Sequence, residues 1–311
     1  MTSPFVHVPV LLDRIVELFR PVPPGVVVDM TVGGGGHARA LLESRPDLRL
    51  LGLDRDPDAL AAAAANLAPF GDRVTLRRAR FDALASIMTD LQIPEVSGVL
   101  FDLGVSSPQL DRAERGFSYR NDGPLDMRMD PADTWSAADV VNGYDATELV
   151  RMLRENGDER HAVRIARAIV AARPIETTHE LAEVVRDAIP APARRRGGHP
   201  AKRTFQAIRI EVNRELAILA DSVDAAIAAT APGGRVAVLS YHSGEDRIVK
   251  GRLRQAATGG CTCPPGLPCV CDAVRTVRLV KAGAWQASAE EAASNRRAES
   301  VRLRAAEKLT A

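Results

Sequence analysis

The residues best placed to do chemistry are four consecutive glycines and a set of acids that recur at the ends of apolar runs. Val27 to Ala40 read VVDMTVGGGGHARA: an apolar run, then Gly33 to Gly36, then a helix-like stretch. Glycines in series cost backbone entropy, so they mark a place where the chain turns sharply or something approaches it closely. Gly33-x-Gly35-x-x-Ala38 fits the fingerprint of a loop that receives a nucleotide cofactor, and Asp54 ends the next apolar run about twenty residues on, as that fingerprint asks. A carboxylate there can accept both hydroxyls of a ribose. No Gly-Lys-Ser/Thr follows, which excludes a P-loop. The structural alternatives are a glycine turn made only for tight packing and a strand-end acid that faces water.

Two ligands share this geometry, a nicotinamide dinucleotide and S-adenosylmethionine. Phe81-Asp82 follows the third apolar run and offers a ring to pack on adenine; Phe101-Asp102-Leu103-Gly104 closes the fourth with a central acid. That progression favours S-adenosylmethionine, since no hydride-site acid or Tyr-Lys pair supports a dehydrogenase. A dinucleotide-dependent oxidoreductase and a non-catalytic nucleotide-binding module stand as alternatives. Methylating an amino group requires an acceptor for an amine hydrogen, because the lone pair is otherwise delocalised into the ring. Asp102 is one candidate and His242, in the loop after RVAVLS, is a second; His242 can equally serve only to hydrogen-bond its own loop. The Asp/Asn-Pro-Pro-Tyr motif of many amino-methylating enzymes is matched only in part by DLGVSSP at Asp102 to Pro108. A ring-carbon methylase would need a Pro-Cys nucleophile after the fourth strand, whereas Pro268-Cys269 lies far beyond it. That cysteine sits in CTCPPGLPCVC, which holds Cys261, Cys263, Cys269 and Cys271. A structural zinc and reduced surface thiols are both open there, and the catalytic reading assigns no metal.

These groups need a scaffold that brings strand ends together. Val26 to Asp29, Leu48 to Leu53, Val74 to Leu76 and Val96 to Leu103 are strand-like, with helix-like stretches such as Ala38 to Ser44 and Pro57 to Leu67 between them. Alternation of this kind predicts a parallel, doubly wound α/β sheet with its ligand beyond the carboxyl ends of the strands. After Leu103 the alternation stops. Asp145 with Glu148 and Thr177 with Glu180 have the spacing of helix-start capping boxes. Arg160 to Ala172 reads as helix, and Phe205 to Ile227 reads as one long amphipathic helix ended by Pro232-Gly233-Gly234. Arg235 to Tyr241 resumes as a buried strand, and Val274 to Val280 is a further strand candidate. The expected organisation is a discontinuous cofactor domain, residues 1–110 and 215–311, with an inserted all-helical domain over 111–214 as the substrate-recognition element.

Composition limits the partners. In 311 residues, 41 basic against 40 acidic side chains leave a formal charge of +1, so nucleic-acid contact must come from a local patch. The densest is Arg194, Arg195, Arg196, then Gly-Gly-His-Pro-Ala, then Lys202 and Arg203; Arg112, Arg115, Tyr119 and Arg128 are further candidates. The C-terminal run Arg296 to Lys308 is basic and helix-like. No apolar run reaches the roughly 18 residues of a membrane span, and the N-terminus lacks a signal-peptide pattern, so a cytosolic chain with reduced thiols is expected.

Six segments, HVPVLLDRIVELF, VVDMTVGGGGHARALL, LGLDRDPDAL, LFDLGVSSPQLD with AERGFSYRNDGPLDMRMDP, HPAKRTFQAIRIEVNRELAIL and GGRVAVLSYHSGEDRIVK, together resemble the bacterial 16S rRNA cytosine-N4 methyltransferases of the MraW/RsmH family. The resemblance runs essentially end to end. It implies a Rossmann-like class I methyltransferase fold and S-adenosylmethionine-dependent methylation of one decoding-centre cytidine on its exocyclic amine, by direct in-line transfer without a covalent enzyme–base intermediate. The small ribosomal subunit or its late precursor is the implied partner, and a homodimer stays open. Carried over by motif, the cofactor contacts are Gly35, Gly36, His37, Asp54, Phe81, Asp102 and Gln109. Tyr241 and Gly244 stand where the family more often has Phe and Leu, and Met30 where it often has glycine or alanine.

Overall fold

The computed structural model describes residues 9–194, 198–264 and 270–310. The chain divides into two compact units, one formed by residues up to Gly104 and from Ile218 onward, the other by Val105–Ala217.

The first unit begins with α1 (Leu12–Phe19) and then alternates: β1 (Gly25–Asp29), α2 (Gly36–Ser44), β2 (Leu48–Asp54), α3 (Pro57–Leu67), β3 (Val74–Arg78), α4 (Leu84–Asp90) and β4 (Val96–Asp102). The second unit is helical: α5 (Ser107–Asp111), α6 (Ala137–Gly143), α7 (Ala146–Gly157), α8 (Ala162–Ala172), α9 (Thr178–Ala188), α10 (Ala191–Arg194) and α11 (Lys202–Asn213). The chain then runs through α12 (Glu215–Ala229), β5 (Thr230–Ser240), α13 (Ser243–Thr258), β6 (Val277–Leu279), α14 (Ala289–Ser294) and β7 (Arg302–Lys308). No helix of the described residues is long and apolar enough to cross a membrane.

The seven strands form one sheet in the order β3-β2-β1-β4-β5-β7-β6. β1 to β5 are parallel and β7 runs antiparallel to both β5 and β6. β4 reads VSGVLFD and is buried up to its final acid. Such a continuous apolar run suits a strand covered on both faces. The order steps outward from β1 in one direction and from β4 in the other, so the gap between their carboxyl ends is the crevice where such sheets take ligands.

The expected helix starts form: Asp145 accepts from Thr147 and Glu148 amides, and Thr177 accepts from Glu180, both within reciprocal capping boxes. Three expectations change. The single helix over Phe205 to Ile227 is two, because Arg214 takes a left-handed conformation (φ 54°) between α11 and α12. Asn213 causes the break: its Oδ1 accepts from Met129 N at 2.8 Å and its Nδ2 donates to Met127 O at 2.7 Å, tying the helix end to a distant loop. Pro232-Gly233-Gly234 does not stop that helix, which ends at Ala229; it lies inside β5, where the register to β4 slips between Val96 and Gly98. A Cβ on Gly234 would sit 2.7 Å from Ser97 O, so this irregular stretch tolerates no side chain. The C-terminal basic run is not helical throughout. Arg296–Ser300 is a short 3-10 turn and Arg302–Lys308 is β7, whose Leu303, Ala305 and Ala306 are buried on alternating and adjacent positions of the sheet. Strand pairing on both edges overrides the helix propensity of RLRAAEK.

Candidate active site at the strand tips

The glycine loop leaves β1 and opens α2. Gly33 (φ 52°) and Gly35 (φ 79°) are left-handed, a conformation other residues adopt at a cost, so these two are required by the turn itself. Gly36 is required by packing, since a Cβ there would sit 2.5 Å from the Pro9 ring. Gly34 has open space on its side-chain side. Among the described residues no side chain caps α2, and no acid sits in its first turn. Its first amides are therefore available to an anion.

Asp54, at the tip of β2, is part of the same construction. Its Oδ2 accepts from Gly33 N at 2.9 Å and its Oδ1 from Asp56 N at 2.9 Å. Each oxygen retains a lone pair, so the acid can hold the loop and still accept a hydroxyl. Burial pushes its pKa up, against the Asp56, Gly33 and Arg55 amides that pull it down. Phe81 follows β3 and meets Phe101 edge-on, ring centroids 5.9 Å apart.

Asp29, at the end of β1, is 1% exposed. Its carboxyl is pushed up to about 7 by loss of solvent, with His37 and the Thr31 amide opposing the rise and Asp102 and Asp54 adding to it. Thr31 links the two central strands, accepting from Asp102 N at 2.7 Å through its hydroxyl while its own amide donates to Asp29 Oδ1 at 3.2 Å.

Asp102 at the tip of β4 is held by a residue that the sequence reading passed over. The Tyr241 hydroxyl donates to Asp102 Oδ1 at 2.6 Å. Burial and the Asp102 charge hold the Tyr241 phenol well above its usual pKa, so it stays a donor. Asp102 Oδ2 lies 3.6 Å from His37 Nε2, and His37 is buried at 4% exposure with neither ring nitrogen hydrogen-bonded. Ser240 Oγ, at the end of β5, is likewise buried without a partner. Buried polar atoms without partners are costly in a folded protein; His37 is in the first turn of α2 and Ser240 is at the end of β5.

His242 has a structural assignment. It is the N-cap of α13, its Nδ1 accepting from Glu245 N at 3.4 Å, while buried Glu245 returns bonds to the Tyr241 and His242 amides. Its Nε2 is 3.2 Å from Glu245 Oε1 but without hydrogen-bond alignment. The loop YHSGED thus fixes Tyr241 against Asp102, and the clue in the sequence was the His-x-x-Glu capping spacing.

Within the helical unit, Gln109 caps α5, its Oε1 accepting from Ser106 N at 3.0 Å. Arg128 is engaged by its own loop: two bonds to Asp126 and one to Asp133 O. The paired guanidinium in turn holds the Asp126 carboxyl below its usual range against the effect of burial. Arg115 donates to Arg128 O and Met129 O, Arg194 to Ile189 O and Asp187 O, and Arg203 to Asp158 O. Arg195 and Arg196 lie outside the described residues, and Lys202 is exposed. Beside this basic region His199 stacks on Tyr119 at 4.4 Å between centroids, and the Arg120 guanidinium lies 5.8 Å from the centroid of the Tyr119 ring. The unit's cleft of about 510 Å³ is walled by Asp126, Arg128, Ser136 and Glu176 among others.

A family model described as the MraW methylase family matches residues 4–309. The chain belongs to that family. It is 54% identical over 309 residues to the ribosomal RNA small subunit methyltransferase H of Thermobifida fusca, covering 97% of this chain and 93% of the relative. The proteins of the same name from Acidothermus cellulolyticus and Heliobacterium modesticaldum are 55% and 50% identical, each covering 98% of this chain and 94% and 99% of the relative. The architecture is accordingly the Rossmann-like sheet of a class I methyltransferase, and S-adenosylmethionine is the methyl donor. The residues present fit that molecule. It would bring an anionic carboxylate for the α2 amides, ribose hydroxyls for Asp54, an adenine for Phe81 and positive charge for the buried Asp29; His37 and Ser240 hold polar atoms that the described residues leave unmatched.

Proposed function

We propose that this methylase acts on small-subunit ribosomal RNA, at the exocyclic N4 amine of a decoding-centre cytidine in 16S rRNA. The observation that supports this most is the Tyr241–Asp102 pair at the tip of β4. A carboxylate fixed through one oxygen and turned toward the crevice with the other suits an amine hydrogen, and no cysteine nucleophile adjoins it among the described residues. The named relatives act on small-subunit rRNA by their printed names.

S-adenosylmethionine supplies an electrophilic methyl group on a sulfonium. The chain's own task is alignment, exclusion of water and handling of one proton. Asp54 and the glycine turn would hold the adenosyl end of the donor. Asp102 Oδ2 would accept a hydrogen bond from one N–H of the cytosine amine, which draws the lone pair out of the ring and toward the incoming methyl group. That same proton would pass to Asp102 or to water, so that the methylated amine keeps one hydrogen. Tyr241 keeps Asp102 in position. Exposed Lys202 is the phosphate contact in this reading, the charge of Arg194 to Arg196 and Arg203 adds to the field that draws the RNA backbone, and Tyr119 with His199 offers a stacking surface for an unpaired base. The inserted helical unit, over 111–214, is the substrate-recognition element in this reading.

Transfer of labelled methyl groups to small ribosomal subunits, followed by mapping of the modified nucleotide, tests the assignment. Label on the N4 of one 16S cytidine is expected. Label on a ring carbon or on another RNA overturns it.

A further inference from the structure

Between α13 and β6 the described residues 259–264 and 270–276 form no regular element, and none of them is buried. Val270 and Val274 are 85% and 74% exposed, so these two side chains add nothing to the core. Described residues that bury no apolar surface need another source of order. The base of this connection is nevertheless closed. Thr276 N donates to Ala256 O at 3.0 Å and Cys261 N to Thr258 O at 3.2 Å. Gly259, left-handed at φ 64°, lies so close to Val274 that a Cβ would sit 2.6 Å from the Val274 backbone. Between these closing contacts, the sulfur atoms of Cys261, Cys263 and Cys271 all lie within 4.8 Å of one another.

We infer that Cys261, Cys263 and Cys271 form a structural zinc site that orders this connection. Thiolates about 2.3 Å from a tetrahedral zinc ion stand roughly 3.8 Å apart, a spacing these three side chains reach by small rotations. A soft, redox-inert divalent ion suits an all-sulfur ligand set, whereas calcium and magnesium take oxygen ligands. Cys261-x-Cys263 supplies two ligands from the arm that leaves α13, and Cys271 supplies the third from the arm that returns toward β6. The ion therefore joins the two arms of the connection. Cys269 lies outside the described residues, and the three sulfurs define the site without it. Each thiol releases its proton on binding, so uptake is coupled to pH.

The site has no part in methyl transfer. Its consequence is mechanical: it pins the far end of α13, the helix whose first residues carry the His242–Glu245 cap beside Tyr241.

The test uses the untagged full-length chain, purified under reductant from cells grown without added zinc. About one zinc per chain by elemental mass spectrometry is expected, and the protein stripped with a chelator should take back one zinc, or one cobalt with a thiolate charge-transfer band. Cys261→Ser and Cys271→Ser should each lose the bound zinc while still binding S-adenosylhomocysteine. Amide exchange over 259–276 should rise in the variants and in the stripped wild type. Three results overturn the assignment: no zinc in the purified chain and no uptake by the reduced stripped protein, undiminished zinc in both variants, or differential alkylation that finds the three cysteines in disulfides. If a variant fails to fold, the metal content and cobalt spectrum of the wild type decide.

Discussion

The carboxylates at the strand tips and the arginines of the helical unit are both dense in charge, yet the two regions use it in opposite ways. Asp29, Asp54 and Asp102 stand at the ends of β1, β2 and β4, where burial raises Asp29 and Asp54 and where His37 has no hydrogen-bond partner. Arg128, Arg115, Arg194 and Arg203 instead direct guanidinium groups to their own unit's carbonyls and carboxylates. Desolvated carboxylates beside unpartnered polar atoms store free energy that a ligand can release; satisfied surface charge stabilises a fold and leaves only its field for a partner. A single residue therefore dominates at the strand tips, and binding on the basic side is spread over many.

Several substitutions sharpen or break this contrast. The largest effect belongs to Asp102. Asp102→Asn should retain cofactor binding but lower kcat by about 10²–10³-fold, the range for loss of a positioned proton acceptor. Near-normal single-turnover rates would remove Asp102 from the chemistry. Asp54→Ala comes next. It deletes the charged acceptor of the Gly33 amide and should weaken S-adenosylhomocysteine binding by about 10–100-fold in calorimetry, with little change in kcat at saturation.

Tyr241→Phe removes one hydrogen bond to Asp102 and should lower kcat by about tenfold, the worth of a hydrogen bond to a charged group, without a change in KM for the cofactor. Unchanged kcat would make the hydroxyl structural only.

Asp29 yields a pH prediction. Its folded pKa of about 7 lies above the unfolded value, so between about pH 4 and 7 the folded state binds the extra proton and stability falls as pH rises. Asp29→Asn should therefore stabilise the cofactor-free protein more at pH 8 than at pH 5. Positive charge on the donor favours the ionised acid. Binding near pH 6.5 should release a proton in calorimetry across buffers of different ionisation enthalpy, and affinity should rise toward pH 7 and then level off. Proton-neutral binding would place the charge elsewhere.

The smallest individual effects are expected on the basic side. Lys202→Gln should flatten the salt dependence of RNA binding by about one unit of slope if it contacts a phosphate. Arg128→Gln should instead lower stability by releasing Asp126 and Asp133, with the salt slope unchanged. Equal slope changes in both would erase the distinction between exposed and engaged basic groups.

Local pattern was enough to read the sheet from Val26 to Leu103 as α/β and to place the acids at strand ends, because parallel strands buried on both faces leave an uninterrupted apolar signal. The capping boxes at Asp145 and Thr177 were legible for a similar reason: three residues of chain contain the whole interaction. Glycine spacing marked the cofactor loop, the progression from Asp54 through Phe81 to Asp102 favoured the methyl donor, and the family motifs implied the same. Contacts between distant residues were not legible in that way. Asn213 breaks a helix by bonding Met127 and Met129, and RLRAAEK becomes a strand because β5 and β6 offer it two edges. Tyr241 meets Asp102 across 139 positions of sequence. Periodicity and capping report forces within a few residues, so they determined the elements and the acids. Which acid is held, by which hydroxyl, and which arginines are already engaged depended on where separate elements come to rest, and only the tertiary structure decides that.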